Sequence, residues 1–302
     1  MLQQTTAKAV VPYFLRFLEK FPTLEALSKG QEEDILTLWQ GLGYYSRARN
    51  LYKASKILVE NFPTTKEGLL KIPGIGDYSA SSILSIAFET RAVVVDGNVK
   101  RVIARCFGLE KEKDILEYAD QLTPNVNVGN YAQSIMDFGR FMCTPKNPKC
   151  ETCPLNKGCY ANTHNKQAQL PVKVSKPAKS LQFAVAFVIV DLNDQAVYME
   201  KETTKKLLHG LFNVPTTPWA QNQEWETVDA LKHAPINGDF EFLEGAIKHI
   251  FTHIDLRVKV CKILVNDTFK GHGQFIAFKD LDDYPLSTLA KKILKFSDSK
   301  RR

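Results

Sequence analysis

No apolar run in this chain is long enough to cross a bilayer as a helix, which excludes a helical membrane span. The opening residues Met1-Leu2-Gln3-Gln4-Thr5 lack both the basic and the apolar segment of a secretory leader. A soluble, cytoplasmic protein with no membrane partner is therefore expected. Cysteine is scarce as well: there are six in 302 residues, four of them crowded between Cys143 and Cys159. That usage excludes the disulfide framework of a small secreted domain. No segment repeats at a fixed period, so solenoids and propellers are excluded. Basic residues outnumber acidic ones only slightly, 40 against 33, for a formal net charge of +7. Such a charge admits a polyanionic partner without demanding one, because it also serves solubility.

What the chain does hold is apolar material for two ordinary domains, 44% of its residues. Ala7, Val10, Val11, Phe14, Phe17, Leu18 and Phe21 recur at helical spacing up to Pro22. Further helices are predicted over 32–39, 44–61, 79–88, 99–107, 111–122 and 131–142, so the first half reads as all-helical. From 163 to 180, Lys166, Lys173, Lys176 and Lys179 stand with Pro171 and Pro177 and no acidic residue, the composition of a basic linker. Beyond it, 181–199 is strand-like with Asn193-Asp194 at a hairpin turn, and 256–265 alternates again. An amphipathic helix over 286–296 then precedes a Lys/Arg tail. The second half is predicted to mix α and β.

Two constellations carry chemistry. In Ile72-Pro73-Gly74-Ile75-Gly76-Asp77-Tyr78, two glycines permit close approach and leave amides at a helix N-terminus free to face an anion such as a phosphate. A tight turn whose glycines only ease packing accounts for the same residues. One apolar helical run later comes Val95-Asp96-Gly97-Asn98-Val99-Lys100, where Asp96 is either a catalytic carboxylate or the N-cap of the helix starting near Val99. The other constellation is Cys143-x6-Cys150-x2-Cys153-x5-Cys159, whose four thiolates at short spacing mean metal. Spacing alone leaves structural zinc and an iron-sulfur cluster level. Cys106 and Cys261 lie in apolar helical and strand patterns and read as buried hydrophobes.

Taken together, Pro73-Gly74-Ile75-Gly76, the Asp96 segment and the cysteine loop resemble the helix-hairpin-helix DNA glycosylases that carry an iron-sulfur cluster. Within that superfamily, Met1-Leu2-Gln3-Gln4-Thr5 and Gly41-Leu42-Gly43-Tyr44-Tyr45-Ser46-Arg47 are similar to the MutY group of adenine DNA glycosylases. The resemblance covers residues 1–165 and, more weakly, the second half through Leu208-His209-Gly210-Leu211-Phe212 and Ile250-Phe251-Thr252-His253. It implies a multidomain chain: an all-α helix-hairpin-helix glycosylase domain over 1–162 with a 4Fe-4S loop at 143–159, the basic linker at 163–180, and an α+β Nudix-like domain over 181–302 that recognises 8-oxoguanine. The Glu-rich Nudix hydrolase signature is absent, so nucleotide hydrolysis is not expected.

The resemblance further implies a 4Fe-4S cluster on Cys143, Cys150, Cys153 and Cys159, and a monomeric enzyme acting on double-stranded DNA with A:8-oxoguanine or A:G mispairs. Asp96 would stabilise the oxocarbenium-like sugar as the N-glycosidic bond of adenine breaks, and Asn98 would order the sugar or the water. Tyr78, close to Asp96, stands where lyase relatives carry a lysine, so no Schiff base is expected and the reaction is monofunctional hydrolysis. Leu2, Gln4 and Tyr44 would wedge the duplex open, while Gln3, Arg47, Gly74, Gly76 and Lys100 would bind the DNA around it. Gln133 would read the adenine edge, and Phe251, Thr252 and His253, with Thr in the place of the family's Ser, would face 8-oxoguanine.

One departure stands against these agreements. The group's glutamate that protonates adenine lies two residues upstream of the position of Met1, outside the chain as written. Such a polypeptide is expected to bind DNA but scarcely to excise adenine, unless its reading frame extends upstream, the favoured explanation. The alternatives are a lesion-binding, catalytically deficient homologue and a bifunctional lyase for oxidised pyrimidines, against which Tyr78 argues.

Overall fold

The computed structural model describes residues 1–3, 5–172, 177–193, 195–204, 207–266 and 271–299. Gln4, Lys173, Lys176, Asp194 and the tail at 300–302 lie outside the described residues. The chain divides into two compact units, one formed by residues 1–56 with 177–302 and the other by 57–176.

The chain starts with helices α1 (Ala7–Lys20), α2 (Leu24–Lys29), α3 (Glu32–Leu38) and α4 (Ser46–Leu58). Thr23 caps α2 by accepting from the Ala26 amide at 3.1 Å. Only Val10, Phe17 and Phe21 of the α1 periodicity are buried, whereas Val11, Phe14, Leu15 and Leu18 stay exposed. The apolar residues of α1 cover more of its circumference than a single packed stripe can bury.

Residues 57–176 contain α5 (Lys66–Leu70), α6 (Asp77–Phe88), α7 (Gly97–Phe107), α8 (Glu112–Leu122), α9 (Val128–Phe141) and α10 (Tyr160–Thr163). Val99, Ile103, Ala104, Ile115 and Ala119 form the core between α7 and α8, with Ile135 and Met136 of α9 packed on it. Leu69, Ala80 and Leu84 join α5 to α6. The first part of the stretch read as a linker is folded here: Leu170 is buried, and its carbonyl accepts from Arg105 Nε at 3.0 Å.

The second half forms β1 (Ser180–Asp191), β2 (Ala196–Lys201), β3 (Phe212–Asn213), β4 (Ala220–Gln221), α11 (Thr227–Leu231), β5 (Phe240–Phe242), β6 (Ile247–Ile250), β7 (Ile254–Val265), β8 (Gln274–Ala277) and α12 (Thr288–Ser299). β1 and β2 are antiparallel, as the hairpin pattern predicts. β1 also pairs in parallel with β7 along its whole length, from Ser180 opposite Ile254 to Asp191 opposite Val265. Its side chains alternate between two cores. Ala184, Ala186, Val188 and Val190 face the cluster holding Leu289, Ala290 and Ile293 of α12, while Val185, Phe187 and Ile189 face the one holding Ala230 of α11. Burial on both faces explains why residues 183–190 of this strand are all apolar instead of alternating. Cys261 is fully buried in the second core, where burial pushes its thiol up to about 11.

The N-terminal helices belong to the same unit as this sheet because their core is completed from it. Leu211 shares a cluster with Phe17, Ile35, Leu36 and Trp39. Arg49 Nη1 donates to the His209 carbonyl at 2.6 Å, and Lys201 pairs with Glu33 at 2.6 Å. Gly210 sits at φ +79°, and a Cβ there would come within 3.1 Å of Leu36 Cδ1, so the Leu-His-Gly-Leu-Phe motif docks the helices onto the sheet.

Candidate functional site

The hairpin places Gly74 at φ +82° between α5 and α6. Gly76 caps α6 without a side-chain bond, and the space its Cβ would occupy is open. Lys66 pairs with Asp77 at 3.2 Å across the turn.

Asp96 is the N-cap of α7. Its Oδ1 accepts from the Asn98 and Val99 amides, each at 2.8 Å, and its Oδ2 accepts from Asn98 Nδ2 at 2.8 Å. A carboxylate has about four acceptor sites, so these three bonds fix its plane and leave Oδ2 one further site. Asn98 is held in turn, its Oδ1 accepting from Arg101 Nη2 at 2.9 Å. Arg101 also donates to the carbonyls of Gly139 (2.7 Å) and Cys143 (2.7 Å). A Cβ on Gly139 would lie 2.7 Å from Asn98 Cβ, so this glycine lets α9 lie against the start of α7. Tyr78 is partly exposed on α6, and its hydroxyl donates to Met136 Sδ at 3.4 Å; no hydrogen bond joins it to Asp96 among the described residues. Gln133 is exposed on α9 and its amide donates back to the Gly129 carbonyl. Lys100 is ion-paired to Glu112 and must exchange that partner before it meets a phosphate.

Arg105, one turn beyond Arg101, is buried and donates to the Thr144 (2.7 Å) and Pro145 (3.1 Å) carbonyls, with Nη1 3.5 Å from Cys143 Sγ. Cys143, Cys150, Cys153 and Cys159 ring one cavity beside it. Among the described residues no three ligating side chains converge on a point that would hold a single ion. Four thiolates around one cavity, backed by a buried cation, fit a net-anionic iron-sulfur cluster. Cys106 departs from the buried position read from its helical pattern. It is half-exposed and lines the same cavity, because it projects from the face of α7 that the loop covers.

Within the unit containing the sheet, Arg47 ties the first residues to the turn before α4. It donates to the carbonyls of Met1 (2.8 Å), Gln3 and Gly43 (3.1 Å) and to Thr5 Oγ1 (3.2 Å), and it lies over the rings of Trp39 and Tyr44. Its Nη1 and Nη2 donors serve the protein, the arrangement of a positioning residue. Leu2 and Tyr44 are exposed, the latter at φ +49°. Phe251, Thr252 and His253 form the turn from β6 to β7, closed by the Phe251 amide donating to the Ile254 carbonyl at 2.8 Å. Phe251 stacks on Trp219 and packs against His249. Tyr44, Phe251 and Thr252 line one cavity together with His249 and Lys292. His249 is 7% exposed and its Nδ1 has no partner. Burial first, and the Lys292 charge second, pull its imidazole down to about 4.

Arg101, Arg105 and His249 were not singled out from the sequence. For the arginines a signal exists: they stand one turn apart in a helix otherwise rich in buried residues, and a buried guanidinium requires acceptors. For a single histidine in a strand no such signal exists.

Three family models match the chain: the HhH-GPD superfamily base excision DNA repair protein over residues 1–125, the iron-sulfur binding domain of endonuclease III over 143–159, and the NUDIX domain over 185–296. The adenine DNA glycosylase of Buchnera aphidicola subsp. Schizaphis graminum is 37% identical over 314 residues, covering 98% of this chain and 88% of that protein. The adenine DNA glycosylase of Rattus norvegicus is 28% identical, covering 100% of this chain and 71% of that protein. A solved thermostable thymine-DNA glycosylase superposes with a TM-score of 0.50 at 29% identity, covering 54% of this chain and 80% of that one. With its hairpin, its cluster loop and its Nudix-like half, the chain is a DNA glycosylase of base excision repair that binds a 4Fe-4S cluster, and it belongs to the MutY family of adenine DNA glycosylases.

Proposed function

We propose that this glycosylase hydrolyses the N-glycosidic bond of adenine mispaired with 8-oxoguanine or guanine, without cutting the strand. The observation that carries the reading is Asp96. Its carboxylate is held by three hydrogen bonds before any substrate arrives, with one acceptor site to spare on Oδ2. As the bond from C1′ to adenine lengthens, positive charge grows on the deoxyribose, and an anion already fixed in place stabilises it without reorganising. Asn98 keeps the carboxylate plane fixed, through its side-chain amide on Asp96 Oδ2. Tyr78 offers a phenol where a Schiff base would need an amine.

Backbone anchoring falls to the uncapped α6 N-terminus at Gly76. Leu2 and Tyr44 are exposed apolar side chains suited to hold the stack open. Because Tyr44 and Thr252 line one cavity, the wedge and the hydroxyl that reads the opposite base act on neighbouring parts of one strand. The cluster, when bound, would supply a structural or redox-linked centre, and Arg101 and Arg105 hold its loop against α7.

Single-turnover excision on an A:8-oxoguanine duplex tests the reading. Adenine release that leaves an alkali-labile abasic site, with no borohydride-trapped adduct, is expected. Tight binding without release by residues 1–302, restored by a longer frame, would place the acid upstream. Binding without release by both would establish the lesion-binding alternative.

A further inference from the structure

Five cysteines, not four, line the cavity of the cluster loop, and the fifth is Cys106. It comes from α7, whose position is fixed by the core residues Val99, Ile103 and Ala104. The other four come from a loop with no regular structure beyond one short turn at Asn156–Gly158. Cys106 is a free thiol, and among the described residues no hydrogen bond engages its sulfur. The Cys159 sulfur lies 3.5 Å from the carbonyl of Arg105, the residue just before Cys106. Cys150, by contrast, is approached by the Gln167 side chain, at 3.8 Å.

We propose that Cys106 is a reserve ligand of the 4Fe-4S cluster, able to bind the iron that Cys159 holds when that bond is lost. In the exchange one iron-sulfur bond breaks and another forms. The Cys106 thiol gives its proton to the released Cys159 thiolate or, where Cys159 is replaced, to solvent. No electron is transferred, and the coordination stays all-thiolate. The fixed helix presents the thiol and the irregular loop supplies the movement. The inference reads out on iron and does not depend on which base the enzyme removes.

The test uses the full chain purified without oxygen. Cys159→Ala should retain iron, acid-labile sulfide and the visible absorbance of the unmodified protein, and Cys159→Ala/Cys106→Ala should lose them. Cys150→Ala should lose its cluster even with Cys106 present, while Cys106→Ala alone should keep it. A Cys159→Ala protein without iron, or a double variant with as much iron as Cys159→Ala, overturns the proposal. So does an insoluble Cys159→Ala chain when Cys106→Ala is soluble.

Discussion

Helix α7 and strand β6 each border a residue suited to meet damaged DNA, yet they hold it by opposite means. At the start of α7, Asp96 is gripped by three hydrogen bonds, and behind it Asn98 and Arg101 continue the chain of donors to the Cys143 carbonyl. After β6, Thr252 and His253 stand exposed on a turn whose nearest anchor is Phe251, packed between the rings of Trp219 and His249. Hydrogen bonds are directional and place a reacting atom within tenths of an ångström. Ring packing tolerates small displacements and suits a surface that must adapt to more than one opposite base. Under the proposed function, chemistry and recognition thus sit on differently built supports.

The largest expected effect comes from removing the charge while keeping the cap. Asp96→Asn should lower the single-turnover rate by about a thousandfold or more while leaving duplex affinity nearly unchanged, since Asn also caps helices. A loss below roughly tenfold would break the distinction between the two supports. Arg101→Ala should come next, at about a hundredfold in rate, because Asn98 Oδ1 and three carbonyls lose their donor. Arg101→Lys should not restore it, as an ammonium cannot span the four acceptors. Stopped-flow excision together with iron content checks both variants.

The aromatic support makes a pH prediction. His249 has a folded value of about 4, below its ordinary 6.5, so the unfolded chain takes up the proton first. Stability from this group is complete above about pH 6.5 and is lost as pH falls toward 4, by roughly 2 to 3 kcal/mol in all. Urea unfolding at pH 7 and pH 5 should show the loss in the parent and a smaller one in His249→Phe; equal slopes would remove the histidine from the account. Smallest is Thr252→Val, which keeps shape and deletes one hydroxyl. It should erode the preference for A:8-oxoguanine over A:G by about three- to tenfold, near 1 kcal/mol. Unchanged selectivity would leave the turn without a reading role.

Much of this architecture was legible in the amino-acid order. The α7 start was visible because an Asp-Gly-Asn before an apolar helical run is both a cap and a candidate site, and the structure assigns Asp96 the cap geometry in full. The cysteine spacing announced a metal but not its nuclearity, which depends on how far apart the sulfurs are held. Arg101 and Arg105 stayed hidden because cations in a helix ordinarily mark its solvated face. Their acceptors lie in the loop at Cys143, Thr144 and Pro145, which no local pattern connects to α7. The parallel pairing of β1 with β7 was equally silent, since alternation within a strand specifies a face and not a neighbour.

The union of residues 1–56 with 177–302 has a consequence for how the chain is made. Ile35, Leu36 and Trp39 wait for Leu211 to complete their core. A ribosome adding about 5 to 20 residues per second delivers that leucine on the order of ten seconds after α4 has emerged. During that interval residues 57–176, whose core is internal, can close by themselves. In biosynthetic order, the unit that begins second is the first to be finished.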